Sequence, residues 1–182
     1  MTQLQQIIKR TFDIVGAFLG LLFLFPFACI IIIVLKCSSK GPIFYKQVRI
    51  GQFGKTFRCV KFRTMSVGSD NKGTITTATD SRITPIGKFL RRYKLDEFPQ
   101  LWNVLMGRMS FVGPRPDVPG YADTLVGKDR EMLALKPGIT GPASIFFRYE
   151  EELLACTVSP KKFNDQTIWP LKVKINLYDY NI

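Results

Sequence analysis

The stretch that decides the fold is IVGAFLGLLFLFPFACIIIIVL, residues Ile14 to Leu35, an unbroken apolar run with Pro26 near its centre. As a helix rising about 1.5 Å per residue, this run would measure roughly 33 Å, which matches the ~30 Å hydrocarbon core of a bilayer. Length alone therefore favours a single transmembrane span.

The residues around this run favour a different topology. Basic residues stand on both sides of it: Lys9 and Arg10 before it, and Lys36, Lys40, Lys46 and Arg49 after it. A spanning helix usually carries its positive bias on the cytoplasmic side only. Pro26 removes a backbone donor and can bend or break a helix. The residues alone leave two readings open, a kinked span and a re-entrant helix-break-helix whose ends lie on one face.

Composition limits the chemistry that the chain can perform. The 182 residues leave room for one soluble domain beside the membrane segment. The chain has no histidine, which excludes Ser-His and Cys-His nucleophile pairs and zinc held by histidine. Its four cysteines show no metal-binding spacing, and we interpret them as reduced thiols. Catalysis would depend on carboxylates, lysines, arginines or a hard metal ion.

Positive charge is concentrated between residues 36 and 115. This block holds sixteen lysines and arginines and four acidic residues, a difference that equals the net charge of +12 of the whole chain. Anionic lipid or the phosphate groups of a small substrate would suit such a block. Nucleic acid is the weakest candidate because no nucleic-acid-binding motif is present. A solvated basic face is the alternative without a ligand.

Periodicity predicts a β-hairpin and two amphipathic helices. The segment IFYKQVRIGQFGKTFRCVKFRTM, residues 43–65, alternates around a turn at Gly51 to Gly54. Thr84-Pro85 marks the start of a helix, and a second helix is predicted from Asp96 to Gly107. Their apolar stripes suit either core packing or the membrane interface.

Asp96-Glu97 is the only adjacent acidic pair in the basic block. At a helix N-terminus and near basic neighbours, both carboxylates are expected to favour the ionised form. Capping alone would explain them. Alternatively, one carboxylate could attack phosphorus as a nucleophile while the other holds a hard ion such as Mg²⁺.

Gly113-Pro114-Arg115-Pro116 places an arginine between two prolines. The fixed φ of proline and the extended preference of each preceding residue stiffen this segment. The guanidinium of Arg115 is thus presented from a rigid backbone, which suits recognition of a phosphate or a planar base. A rigid surface turn is the alternative.

Together these motifs resemble the bacterial monotopic phosphoglycosyl transferases, or bacterial sugar transferases. The resemblance covers roughly residues 7–142 and rests on the proline-broken apolar helix and three motifs in the family's order: RIGxxGKxFxxxKFRTM (Arg49 to Met65), DSRITPIGKFLRRYKLDEFPQLWNVLMGRMSFVGPRP (Asp80 to Pro116) and KPGITG (Lys136 to Gly141). It implies a re-entrant membrane helix with both ends in the cytoplasm. It also implies transfer of a sugar phosphate from a UDP-sugar to polyprenol (undecaprenol) phosphate, which releases UMP and initiates bacterial glycoconjugate assembly.

The resemblance assigns roles residue by residue. Asp96 matches the family's nucleophile, which forms a covalent phosphosugar in a ping-pong cycle, and Glu97 matches the acidic partner that binds Mg²⁺. The remaining matched positions are substrate-binding: Lys61, Arg63 and Arg91 near the phosphates, and Arg115 with its flanking Pro114 and Pro116 near the uridine nucleotide.

We accordingly expect an α+β protein of the bacterial inner membrane. Residues 1–40 would form the re-entrant membrane helix, kinked at Pro26, with its flanks. Residues 41–182 would form a cytoplasmic catalytic domain in the same functional unit, with amphipathic interface helices and a small β-hairpin sheet around the site. Membrane lipids are expected partners, nucleic acid is not, and a homodimer stays open.

The match weakens after Gly141. Residues 142–182 resemble only some relatives, and relatives usually continue beyond a point equivalent to Ile182, so we interpret the tail as truncated or dispensable. Asn176 stands where an acidic residue is expected. This variable part is expected to select the sugar, whose identity the sequence does not reveal. The competing hypothesis is a membrane-anchored module without enzymatic activity, whose basic face binds anionic lipid or nucleic acid.

Overall fold

The computed structural model describes residues 2–38, 40–69 and 80–180 and confirms a fold of mixed helices and small sheets. The helices are α1 (Gln3–Ser38), α2 (Pro85–Arg92), α3 (Gln100–Leu105), α4 (Pro142–Phe146), α5 (Glu150–Ala155), α6 (Pro160–Phe163) and α7 (Trp169–Tyr180). The strands are β1 (Phe44–Ile50), β2 (Thr56–Phe62), β3 (Ser110–Val112) and β4 (Gly138–Thr140).

The N-terminal half of α1 docks on α3 and β3 through polar contacts. Asp13 is buried, and its Oδ1 accepts hydrogen bonds from the Ser110 hydroxyl and the Phe111 N–H, both at 3.0 Å. Arg10 donates to the carbonyls of Val104 and Leu105 at the end of α3. These bonds fix the beginning of the apolar helix to the domain.

The C-terminal half of α1 docks on the same domain through apolar contacts. Leu35 is buried in a cluster with Phe62 of β2 and Leu90 of α2. The helical rise separates Asp13 from Leu35 by about 33 Å if the helix is straight. Both ends of the apolar run therefore contact one domain.

Most apolar side chains of α1 between these two contacts are exposed, among them Phe18, Leu22, Phe23, Phe27 and Ile30. By length and composition, α1 could cross a membrane. The structure assigns one helix from Gln3 to Ser38 with Pro26 inside it. A re-entrant break at Pro26 therefore stays a prediction.

The predicted hairpin is confirmed. Strands β1 and β2 pair antiparallel from Phe44 opposite Phe62 to Ile50 opposite Thr56. The buried Asn103 of α3 donates to the carbonyl of Arg58 at 2.8 Å and accepts from the N–H of Val60 at 3.0 Å. These two hydrogen bonds join the side chain to the backbone of β2 and fix α3 against the hairpin.

The predicted start of α2 is confirmed, because the Thr84 hydroxyl accepts from the N–H of Gly87 at 3.0 Å. The apolar stripe of α2 divides between two environments: Leu90 is buried, whereas Phe89 and Tyr93 are exposed. Exposed aromatic rings beside basic residues suit a membrane interface.

The second predicted helix begins later than expected. Asp96 and Glu97 lie in a single 3-10 turn, Leu95–Glu97, and α3 begins only at Gln100. The segment before α3 is closed by shorter i→i+3 hydrogen bonds, from the Glu97 N–H to the Lys94 carbonyl and from the Phe98 N–H to the Leu95 carbonyl, which define a 3-10 turn. The prediction that the acidic pair lies at the N-terminus of an α-helix was wrong.

Strands β3 and β4 form a parallel pair that the sequence did not predict. Beside it, Gly113 donates to the carbonyl of Thr140 at 2.9 Å and Gly138 donates to the carbonyl of Pro114 at 2.8 Å. A Cβ on Gly113 would lie 2.2 Å from the carbonyl oxygen of Lys136, so only glycine fits there. This close backbone contact holds the segment 114–116 rigidly against the domain.

Candidate active site

The two acidic residues lie in the short connection between α2 and α3. Lys94 enters this connection in a left-handed conformation, with φ of 55°, and the 3-10 turn Leu95–Glu97 follows. Asp96 and Glu97 are 6% and 9% exposed. The connection thus shields two adjacent carboxylates from bulk water.

Glu97 is held by two cationic side chains that lie far from it in the sequence. Its Oε1 accepts from Nζ of Lys61 at 2.8 Å and from Nη2 of Arg115 at 2.6 Å. Burial alone would raise the pKa of Glu97, but Arg115 and Lys61 outweigh that effect and hold this pKa far below its usual range. Glu97 in turn raises the pKa of Arg115. The prediction of an ionised carboxylate fits Glu97.

Asp96 lies in a different environment. Its Oδ1 is buried and makes no hydrogen bond to the residues that the structure describes. Burial raises the pKa of Asp96, and the attraction of Lys61 offsets only part of that rise. The pKa of Asp96 is therefore shifted in the opposite direction from that of Glu97, and from the shift expected of a helix N-terminus with basic neighbours. A buried anion without donors loses more hydration than a nearby cation restores.

Arg63 and Arg91 line the same cavity. Arg63 is buried and donates to the carbonyl of Lys40 at 3.0 Å. Arg91 donates through Nε to the hydroxyl of Thr64 at 3.0 Å, and its Nη1 lies 3.5 Å from the carboxylate of Glu151. The basic residues singled out in the sequence thus surround the acidic pair.

Two cavities meet at Glu97 and Arg115. The first, of about 290 Å³, contains Asp96 and is lined by β1, β2, residues 63–69 and the end of α2. The second, of about 470 Å³, is lined by residues 115–118 and by helices α4, α5 and α7. Glu97 therefore borders both a cavity built by the motif-bearing segments and one built largely by the variable C-terminal part, whereas Asp96 borders only the first.

Sequence reasoning missed three residues of this site. Arg49 and Glu151 line both cavities, and Asp117 lines the second. Burial raises the pKa of Asp117 to about 6, against the opposing charges of Lys172 and Arg49. The strand alternation of β1 put Arg49 and Gln47 on one face but did not show that this face borders a cavity. Nothing in the sequence pairs Glu151 with Arg91.

The acidic pair could contribute to a magnesium site only together with a ligand. No cluster of three or more acidic or cysteine side chains suited to a metal occurs in residues 2–38, 40–69 and 80–180. Mg²⁺ commonly binds one or two carboxylates together with substrate phosphates and water. The unpartnered Oδ1 of Asp96 fits such a role, and so does Glu97, although its Oε1 is already paired with Lys61 and Arg115.

Comparison with known proteins agrees with this arrangement. The family model described as bacterial sugar transferase matches residues 4–169, so the chain belongs to that family. It is 43% identical over 150 residues to the UDP-glucose:undecaprenyl-phosphate glucose-1-phosphate transferase of Escherichia coli K12, covering 80% of this chain and 32% of the relative. It is 41% identical over 146 residues to the protein of the same name from Klebsiella pneumoniae, covering 78% and 31%.

A shorter relative is matched over most of its length. The exopolysaccharide production protein PSS of Rhizobium leguminosarum is 40% identical over 147 residues, which cover 76% of this chain and 74% of that protein. In contrast, this chain spans about a third of the length of the two glucose-1-phosphate transferases.

Proposed function

We propose that this chain transfers a sugar 1-phosphate from a UDP-sugar to polyprenol phosphate, with release of UMP, through a covalent intermediate on Asp96. The observation that carries the proposal is the buried, unpartnered Oδ1 of Asp96 in a cavity with Lys61 and Arg91. A carboxylate with little hydration and no donors is poised to react, and its cationic neighbours attract a diphosphate.

The first step forms one bond and breaks one bond. A carboxylate oxygen of Asp96 attacks the phosphorus that bears the sugar, and the bond from that phosphorus to the bridging oxygen of UMP breaks. UMP leaves with the electron pair as a phosphate anion. Asp96 then carries a sugar phosphate as an acyl phosphate.

The second step regenerates the carboxylate. An oxygen of polyprenol phosphate attacks the same phosphorus, and the bond between phosphorus and Asp96 breaks. The product is a polyprenyl diphosphate sugar. Asp96 lines only the first cavity, so the phosphates of both substrates would occupy that cavity in turn, as a ping-pong cycle requires. The second cavity meets the first at Glu97 and Arg115 and offers room for the rest of a substrate.

The other residues of the site bind and orient charge. Arg115 and Lys61 fix the ionised Glu97 and face the cavities, so they can bind substrate phosphates as these arrive. Arg63 and Arg91 add positive charge beside Asp96. When bound at Asp96 and Glu97, Mg²⁺ would neutralise charge on the diphosphate.

We infer that the protein is monotopic and faces the cytoplasm at the inner membrane. A straight span would carry Leu35 about 33 Å from Asp13, across the bilayer, yet both residues pack on one domain. A bend at Pro26 would let the exposed apolar side chains enter the membrane while both ends stay with the domain.

The decisive experiment is a single-turnover assay without lipid. Detergent-solubilised protein is mixed with Mg²⁺ and each of a panel of UDP-sugars that includes UDP-glucose, the donor in the names of two relatives. We expect a burst of about one equivalent of UMP and an intact-protein mass increased by one sugar phosphate. UMP that appears only after polyprenol phosphate is added would contradict the covalent route. No UMP with any donor, with or without lipid, would favour a binding module.

Topology is tested by labelling single cysteines in intact cells, with the native cysteines removed. Cysteines engineered at positions 2 and 60 should both be protected from an impermeant reagent added outside. Labelling at position 2 alone would indicate a true span. Pro26→Leu should shift the segment towards spanning, since a continuous helix of this length fits the hydrocarbon core.

A further inference from the structure

Arg49 of β1 is a partly buried cation to which the mechanism above gives no role. Its Nη1 donates to the carbonyl of Pro116 at 2.9 Å, and its Nε and Nη2 donate to Oε1 of Gln47 at 3.0 and 2.5 Å. These three bonds go to two neutral oxygens, the Pro116 carbonyl and Oε1 of Gln47. Arg49 thus supports the segment that carries Arg115 without an ion pair among the described residues.

The charges around Arg49 are not balanced. Burial and the like charge of Arg115 lower the pKa of Arg49, and the attraction of Asp117 offsets only part of this effect. Glu97, the strongly ionised carboxylate of the site, is already shared by Lys61 and Arg115. Two guanidinium groups are thus kept close together in a cavity wall. Such an arrangement becomes favourable when an anion binds between them.

Arg49 also has hydrogen-bonding capacity left for a ligand. A guanidinium group has five N–H donors, and the three bonds above leave two. Arg49 lines both cavities, as Arg115 does. Its planar fork suits two oxygens of a phosphate group, whereas a lysine would offer only a point charge.

We propose that Arg49 binds the diphosphate of the nucleotide sugar directly, side by side with Arg115. This inference rests on the proposed function, since it names a further substrate-binding residue of the same site. The hydrogen bond to Pro116 couples the two arginines, so that they are presented to the diphosphate as one unit. An arginine could equally bind the phosphate group of the lipid carrier. The test below separates binding of the nucleotide diphosphate from binding of the lipid phosphate.

The test compares Arg49→Gln with Arg58→Gln, which removes the same charge from an exposed position of the same hairpin. Dissociation constants for UDP and for uridine are measured by NMR titration of the solubilised proteins with Mg²⁺. In Arg49→Gln, UDP should bind about 10- to 100-fold more weakly, the range expected for losing charged hydrogen bonds, while uridine binding is unchanged. Arg58→Gln should bind both ligands like the wild type. Arg49→Lys should fall between Arg49→Gln and wild type.

The outcomes separate this inference from the proposed function. If the wild-type protein does not bind UDP, both proposals fail. If it binds UDP and Arg49→Gln binds it equally well, only the role of Arg49 is overturned. Equal weakening of UDP and uridine would also overturn that role, since it would indicate displacement of the 114–116 segment. So would an increased KM for polyprenol phosphate with normal UDP binding. If Arg49→Gln does not fold, a UDP affinity of Arg49→Lys equal to wild type overturns the inference, and weakening of UDP alone supports it.

Discussion

The two acidic residues of the turn Leu95–Glu97 are adjacent in the sequence but lie in opposite electrostatic environments. On one side, Glu97 is fixed by Lys61 and Arg115 and strongly favours the ionised form. On the other side, Asp96 has an oxygen without a partner, and burial favours its neutral form. One carboxylate is therefore stabilised as a fixed charge, while burial disfavours the charge of the other.

The two pKa shifts have opposite effects on the free energy of unfolding. A carboxyl group whose pKa is raised by folding binds its proton more tightly in the folded state, so its ionised form at neutral pH lowers the free energy of unfolding. For Glu97 the pKa is lowered, so its ionised form raises the free energy of unfolding. Natural sites often retain such a destabilised group because function requires it.

The largest expected effect comes from Asp96→Asn. The amide cannot act as the nucleophile, so the UMP burst, the covalent adduct and turnover should disappear together, with a loss of several orders of magnitude in rate. At neutral pH the free energy of unfolding should be equal to or higher than that of wild type, because a buried charge is removed. Rapid-quench assay of UMP, mass spectrometry and urea unfolding measure these three quantities.

Measuring activity and the free energy of unfolding together separates a nucleophile from a structural residue. Inactivity together with clear destabilisation would mean that Asp96 is a structural residue rather than a strained nucleophile. Residual turnover with an adduct on another residue would assign the nucleophile elsewhere. An exposed change, Asp129→Asn, is a matched control that should alter neither activity nor stability.

The contrast within this turn also shows what the sequence could and could not predict. Motif spacing singled out Asp96, Glu97, Lys61 and Arg115 as candidates, and the structure brings them together around one cavity. The helix start at Thr84 was predictable from local chemistry, since an N-cap and a following proline depend only on near neighbours.

The opposite environments of Asp96 and Glu97 were not predictable, because they arise from contacts across large sequence separations. Glu97 meets Lys61 from β2 and Arg115 from the segment after β3, and Asp96 meets neither through a hydrogen bond. The contacts of Arg49 were missed for the same reason. Local pattern fixes which residues alternate on a strand, whereas the fold decides which face borders a cavity.

The next largest effect is expected for Glu97→Gln. The neutral amide cannot balance Lys61 and Arg115, so we expect a rate about 10- to 1000-fold lower in both half-reactions, the range for removing one electrostatic element of a site. The loss of two charge-assisted hydrogen bonds should also lower the free energy of unfolding by about 1–3 kcal/mol, a figure reduced because Arg115 is partly exposed.

Glu97→Gln should therefore lower the free energy of unfolding, whereas Asp96→Asn should not. Urea unfolding of the two variants at neutral pH tests this directly. Equal and small changes in both would remove the electrostatic contrast between the two carboxylates.

Activity of Glu97→Gln is also compared in Mg²⁺ and in excess EDTA. Full activity of the wild type in EDTA would exclude a metal at this pair.

The smallest expected effect is in the pH dependence of the UMP burst, and it follows from the raised pKa of Asp96. Attack requires the carboxylate, so the burst rate should fall about tenfold per pH unit below that pKa. Since burial raises the pKa of Asp96, the fall should begin at a higher pH than for an ordinary aspartate.

Asp117, with a pKa of about 6 and also in the site, could produce a similar fall in the burst rate. Asp117→Asn separates the two groups: a fall that persists in this variant belongs to Asp96. A burst rate that stays constant down to the usual pKa range of an exposed carboxylate would show that Asp96 is hydrated in solution. The contrast between the environments of Asp96 and Glu97 would then be lost.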